Sequence, residues 1–151
     1  MNLPPACDEH SAVVFEKEMY IFGGYVDCNP TNSLYKYDFN FKMWKRVTSI
    51  KYLLFEKPCP RAGHSAVRVQ EYMYLFGGKD AKNKRLNDLW RFNFKLVFWE
   101  RVCFQQNVPE VRSGHAISVY QNHLIIFGGI KRAMREMNDC WALNLKTQVW
   151  T

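Results

Sequence analysis

Residues 61–78 read RAGHSAVRVQEYMYLFGG and residues 87–99 read NDLWRFNFKLVFW; a second copy reads RSGHAISVYQNHLIIFGG at 112–129 and NDCWALNLKTQVW at 138–150. A more divergent copy precedes both. His10, His64 and His115 each stand 13 residues before the first glycine of a pair, Gly23-Gly24, Gly77-Gly78 and Gly128-Gly129. From those first glycines it is 12, 13 and 13 residues to an aromatic, Tyr35, Trp90 and Trp141, and nine more to a tryptophan, Trp44, Trp99 and Trp150. The glycine pairs are 54 and 51 residues apart, so the variation falls between one tryptophan and the next histidine, and those segments read as loops. A period near 50 residues marks a repeat architecture in which a unit buries its apolar face only against its neighbours.

Within each unit the pattern spells four short strands. HSAVVF, HSAVRV or HAISVY comes first, rich in Val and Ala, and a polar turn such as Gln70-Glu71 or Gln121-Asn122 follows. MYIFGG, MYLFGG or LIIFGG comes second; a continuous apolar run implies a strand covered on both faces. LYKYDF, NDLWRF or NDCWAL comes third, and its alternation predicts partial exposure. The fourth, MWKRV, FWERV or VWT, carries the tryptophan. Two residues without Cβ let the main chain leave the second strand and let a neighbouring ring lie against it. The tryptophan and the aromatic nine residues earlier are expected to fill the space between adjacent sheets.

Four antiparallel strands per unit, with Gly-Gly closing the second, predict the blades of a β-propeller. The chain resembles the kelch-repeat family over about positions 5 to 151, and the Trp-Asp dipeptide of the competing WD40 class is absent. The expected fold is all-β, with three four-stranded antiparallel blades of a partial kelch-type propeller at about 5–48, 60–102 and 111–151. The first unit departs from the pattern: Cys7-Asp8-Glu9 stands where Arg61-Ala62-Gly63 and Arg112-Ser113-Gly114 stand, and SLYKY replaces the NDLWRF type. Propellers close with roughly four to eight blades, so further blades or self-association is expected to complete the ring.

Composition narrows the function. The 151 residues are 48% hydrophobic and 23% charged, which excludes a disordered tail, and their apolar runs fall short of a membrane span. Aromatic residues reach 16%, suited to packed sheets. The net charge of +7 favours an anionic partner. Cys7, Cys28, Cys59, Cys103 and Cys140 are odd in number and never in a Cys-x-x-Cys pair, so free thiols in a cytoplasmic, or else nuclear, setting are expected, with no zinc site and no secretory leader.

His10, His64 and His115 recur one per unit and read as structural hydrogen-bonding positions rather than metal ligands. Asp88 and Asp139, each after an asparagine, read as Asx-type anchors of the preceding loop. In peptide-binding kelch propellers the turns leading into the first strand and the loops between second and third strands share one rim of the channel, and an arginine in that lead-in position faces the ligand. By that resemblance Arg61 and Arg112, with Lys79, Lys82, Lys84 and Arg85 in one loop and Lys131, Arg132 and Arg135 in the next, form the expected partner-binding set for an acidic peptide. The family implies a non-catalytic, cofactor-free interaction scaffold or adaptor, as in ubiquitin-ligase substrate receptors, actin-associated proteins and small-GTPase effectors or regulators. Two alternatives compete. Nucleic acid or another polyanion could meet the basic loops, although the rings that would stack on bases are committed to repeat register. A fragment of a kelch-fold oxidase would need copper held by tyrosine and histidine, whereas the histidines here, His123 apart, stand in repeat register.

Overall fold

Alternating and continuous apolar runs of five residues, each closed by a turn, leave the chain little choice but short antiparallel strands. The computed structural model describes residues 3–48, 56–104 and 107–151; positions 49–55 and 105–106, in the segments whose variable length marks them as loops, lie outside the described residues. The first unit forms β1 (Ser11–Phe15), β2 (Glu18–Phe22), a small hairpin of β3 (Tyr25–Val26) and β4 (Asn29–Pro30), then β5 (Leu34–Asp38) and β6 (Met43–Val47). The second gives β7 (Ser65–Val69), β8 (Tyr72–Phe76), β9 (Leu89–Asn93) and β10 (Phe98–Val102), and the third β11 (Ala116–Tyr120), β12 (His123–Phe127), β13 (Cys140–Asn144) and β14 (Val149–Trp150). Each unit is one four-stranded antiparallel sheet in chain order, apart from the inserted β3-β4 ribbon. The molecule is therefore all-β, a partial propeller of three blades. Among the described residues no helix is long and apolar enough to cross a membrane.

The blades meet through rings. Phe22, at the end of β2, lies 4.9 Å from Trp99 and edge-on to His64 at 5.5 Å, both from the second blade. Phe76 repeats this one blade on, 5.9 Å from Trp150 and 5.4 Å from His115. Two apolar cores result, one joining Val13, Tyr20, Phe22 and Leu34 to Met73, Leu75, Phe92 and Trp99, the other joining Tyr74, Phe76 and Leu89 to Leu124, Ile126, Leu143 and Trp150. Trp90 and Trp141 also sit in these interfaces. Tyr35 and Trp44 do not: they lie on the face of blade 1 that no other blade covers, and Trp44 packs instead on Tyr37 of its own sheet. The exposure expected of the third strands fails for β9, which is buried at Leu89, Trp90, Phe92 and Asn93 because blade 2 has a neighbour on both faces.

The glycine pairs are places where no side chain fits. Both run at positive φ, and a Cβ on Gly78 would come within 2.8 Å of the Ala62 carbonyl and 2.9 Å of the His64 Cβ. The amides of Gly24 and Gly78 donate to the carbonyls of Arg61 and Arg112 at 2.9 Å, so each pair is tied to the blade that follows it.

The same two arginines hold their own blades. Arg61 Nη1 and Nη2 donate to the two carboxylate oxygens of Asp88 at 2.7 and 2.8 Å, Nη1 also to the Gly77 carbonyl at 3.0 Å, and Nε to the Cys59 carbonyl at 3.2 Å. Arg112 makes the matching set with Asp139, Gly128 and Glu110. The indoles of Trp90 and Trp141 donate to the same carboxylates at 2.7 and 2.6 Å. Asp88 and Asp139 therefore serve as counter-ions rather than as the loop anchors expected from their place after asparagine. Burial alone would raise the Asp88 carboxyl, but hydrogen bonds and charge from Arg61 bring it below its ordinary value; at Asp139 the hydrogen bond from Arg112 does the same.

His64 and His115 are buried against the ring and glycine pair of the preceding blade. Ser11 Oγ lies 2.9 Å from His64 Nε2, and Ser65 Oγ donates to the His115 carbonyl, so the first strand of each blade reaches into the next. His10 is exposed and lies beside Cys7. Burial, followed by the charge of Arg61, pushes His64 down to about 3; burial and then Arg112 push His115 down to about 4.

Two consequences are measurable. Replacing Arg61 with methionine strands the Asp88 carboxylate, 15% exposed, and is expected to lower the unfolding free energy by about 3–5 kcal/mol, read by urea denaturation; a loss below about 1 kcal/mol contradicts the staple. Below pH ~6.5 the unfolded chain takes up protons at both histidines while the folded chain does not, so stability falls as pH drops from there toward the depressed folded values, by up to about 2 kcal/mol per histidine at pH ~5. A flat urea midpoint between neutral pH and pH ~5 contradicts two neutral, buried rings.

Candidate functional site

The turn before each first strand brings its main chain to the axis around which the blades stand. Glu9, Gly63 and Gly114 occupy equivalent places there, all left-handed, with φ of +50°, +62° and +66°. Gly63 N–H donates to the Glu9 carbonyl at 3.0 Å and Gly114 N–H to the Gly63 carbonyl at 2.8 Å, a main-chain ladder that steps from blade to blade. Outside this ladder lie the residues that follow each glycine pair, Tyr25, Lys79 and Ile130, held by main-chain pairing to the lead-in turns. Between them opens a cavity of about 580 Å³ whose walls include Glu9, Lys79, Arg85, Gly114, Ile130 and Met134.

Two of the expected cations face this cavity, and they diverge. Lys79 and Arg85 pair across an antiparallel bridge in the loop between β8 and β9. Lys79 turns toward blade 1, its Nζ 3.2 Å from Glu9 Oε2 and 5.2 Å from the centre of the Tyr25 ring. Arg85 turns toward blade 3, its Nη2 3.6 Å from the Met134 sulfur, while its Nε is buried without a hydrogen-bond partner. A thioether is a weak acceptor, so the guanidinium keeps most of its capacity for a carboxylate.

The other expected residues fall elsewhere. Arg61 and Arg112 are 0% exposed and already bonded by Asp88 and Asp139, so neither reaches a ligand; the lead-in position that faces ligand in the resemblance is here part of the blade's interior. Lys82 and Lys84 are exposed at the loop tip, where their amides cap the Asp80 carboxylate at 2.9 Å. Lys131 is paired with Glu110 at 2.7 Å. Arg132 and Arg135 flank a single 3₁₀ turn, Arg132–Met134, and are exposed. The structure thus gathers Lys79 and Arg85 and disperses the rest. The residue that sequence reasoning passed over is Glu9, and its signal was present: an acid standing where the other two units have glycine. A second cavity of about 600 Å³, on blade 1, is lined by Cys7, Asp8, Asp27 and Cys28 among others and carries the opposite charge. Among the described residues no group of three or more His, Cys, Asp or Glu side chains is placed to hold a metal ion.

Comparison with known proteins agrees with the three-blade fold. Residues 9–151 match the family model described as the KLHDC2/KLHL20/DRC7 Kelch-repeats domain, and the chain belongs to the kelch-repeat family. It is similar to the leucine-zipper-like transcriptional regulator 1 homolog of Drosophila melanogaster, 33% identical over 143 residues that make up 91% of this chain and 14% of that protein. The Rho GTPase-activating protein gacHH of Dictyostelium discoideum is 32% identical over 147 residues, 94% of this chain and 10% of its own length. Human host cell factor 1 is 30% identical over 168 residues, 99% of this chain and 8% of its own length. The chain spans about a tenth of the length of each of these relatives.

Proposed function

We propose that this chain is a non-catalytic protein-interaction module that receives an acidic segment of a partner protein at the axial cavity, with Arg85 as its principal contact. The observation that carries the reading is the Arg85 guanidinium: part-buried at the wall of a cavity of about 580 Å³, with an unpartnered Nε and a thioether as its neighbour. Forked donors in such a setting match a carboxylate. The names of two relatives, a transcriptional regulator and a GTPase-activating protein, support a regulatory protein-interaction role. Fluorescence anisotropy with a labelled hexaglutamate peptide tests the reading. Binding is expected to weaken about tenfold in Arg85→Ala and to fall with added salt, while Lys82→Ala at the loop tip leaves it nearly unchanged. Equal affinity in wild type and Arg85→Ala contradicts it, and steep salt-dependent capture of an oligonucleotide in preference to the peptide favours nucleic acid instead.

A second proposal rests on Phe127. Phe22 and Phe76 are 1% and 0% exposed because the next blade covers them, whereas Phe127, the same position of the third unit, is 54% exposed, with Tyr120 and Val149 also bare on its face of the sheet. Blade 1 presents on its own open face the tryptophan, Trp44, that blades 2 and 3 use in this contact, and its lead-in turn presents His10. The occupant we propose is a second copy of this chain, its blade 1 seated on blade 3 as blade 2 sits on blade 1. Light scattering is expected to show an oligomer that Phe127→Ser converts to monomer; a monomeric wild type overturns the proposal.

A further inference from the structure

The lead-in turns impose the same left-handed backbone on all three blades, and two of them meet it with glycine. Glu9 holds it at φ +50° with a full side chain, a conformation that disfavours any residue bearing a Cβ. That side chain does not leave the axis. It lines the cavity, and its two carboxylate oxygens lie 3.2 and 3.3 Å from Lys79 Nζ, across the boundary between the first and second blades. Lys79 is fixed from the other side as well, by main-chain pairing to Ala62 and by the Tyr25 ring. The cavity therefore has two cations on one bridged loop, of which one already holds a carboxylate supplied by the chain itself.

We propose that Glu9 is a built-in competitor for the acidic ligand: it occupies Lys79, leaves Arg85 as the one free Lys or Arg among the described residues that line the cavity, and so sets both the affinity and the charge that a partner segment must carry. This rests on the acidic-segment reading of the same cavity. Removing the Glu9 charge leaves Lys79 in place over Tyr25 and adds a second point of attachment. A partner with one acidic residue meets Arg85 alone, whereas a partner with several must displace Glu9 to use both cations.

The labelled hexaglutamate peptide, titrated at low salt, tests this with Glu9→Gln, which keeps the side-chain size, and Glu9→Gly, which restores the residue of the other two blades and relieves the backbone. Both are expected to bind about two- to fivefold more tightly than wild type, the size of an exposed ion pair. Adding Lys79→Met to either variant is expected to return the affinity to the wild-type level. Thermal melting checks that the variants are folded, and Glu9→Gly is expected to melt no lower than Glu9→Gln. Unchanged affinity in both Glu9 variants, with Arg85→Ala still weakening the peptide, overturns the competitor role and leaves the acidic-segment reading standing. A gain that survives Lys79→Met also overturns it, because the gain then does not pass through Lys79. Absence of peptide binding by wild type and by both Glu9 variants overturns the acidic-segment reading and the competitor role with it.

Discussion

A guanidinium buried to zero exposure cannot remain unpaired, and Arg61 and Arg112 satisfy that demand by drawing three separate segments of their blade together. Each reaches the carboxylate that opens the third strand, the carbonyl of the first glycine in the pair that ends the second, and a carbonyl two residues upstream in its own loop. Its main chain meanwhile accepts from the second glycine of the preceding blade. One residue per blade thus sets the approach of the lead-in turn, the exit from the second strand and the spacing of neighbouring sheets. The turns at the axis sit where they do because this staple sits beneath them.

The strands and their order were legible because the repeat places histidine, glycines and rings at fixed intervals, and each interval is a length of extended chain plus a turn. The staple was legible in part. Arg61 and Asp88 are separated by the same 27 residues as Arg112 and Asp139, and the first unit loses both partners together, with Cys7 and Ser33 in their places. What pattern alone could not supply was the burial: by resemblance the arginine of a lead-in turn faces a ligand, and only the closed shape of that turn shows that its side chain points back into the sheet.

The cavity was less legible for a different reason. Counting cations in the loops treats them as equivalent, whereas folding sorts them by neighbour. Lys131 meets Glu110, 21 residues away, and Lys79 meets Glu9, 70 residues away in another blade. Such pairs depend on how blades pack around the axis, which composition does not encode. Arg85 stands apart because its neighbour across the cavity is Met134, a residue with no charge to signal the contact in advance. The divergence of the first unit, easily taken as decay of the repeat, also places an acid at the left-handed position that Gly63 and Gly114 hold in the other two axial turns.

The main-chain ladder at the axis has a direction. Its amides all belong to the later blade and its carbonyls to the earlier one, from Gly114 back to Gly63 and from Gly63 back to Glu9. A chain of hydrogen bonds with a donor end and an acceptor end cannot be extended by a mirror-like, face-to-face encounter, since that would set carbonyl against carbonyl. Anything that prolongs it must arrive in the same rotational sense, and contacts of that sort either come round to meet their own beginning or continue as a helix. The head-to-tail polarity of any continuation is thereby written into three turn residues, before any side chain on the outer strands has been consulted.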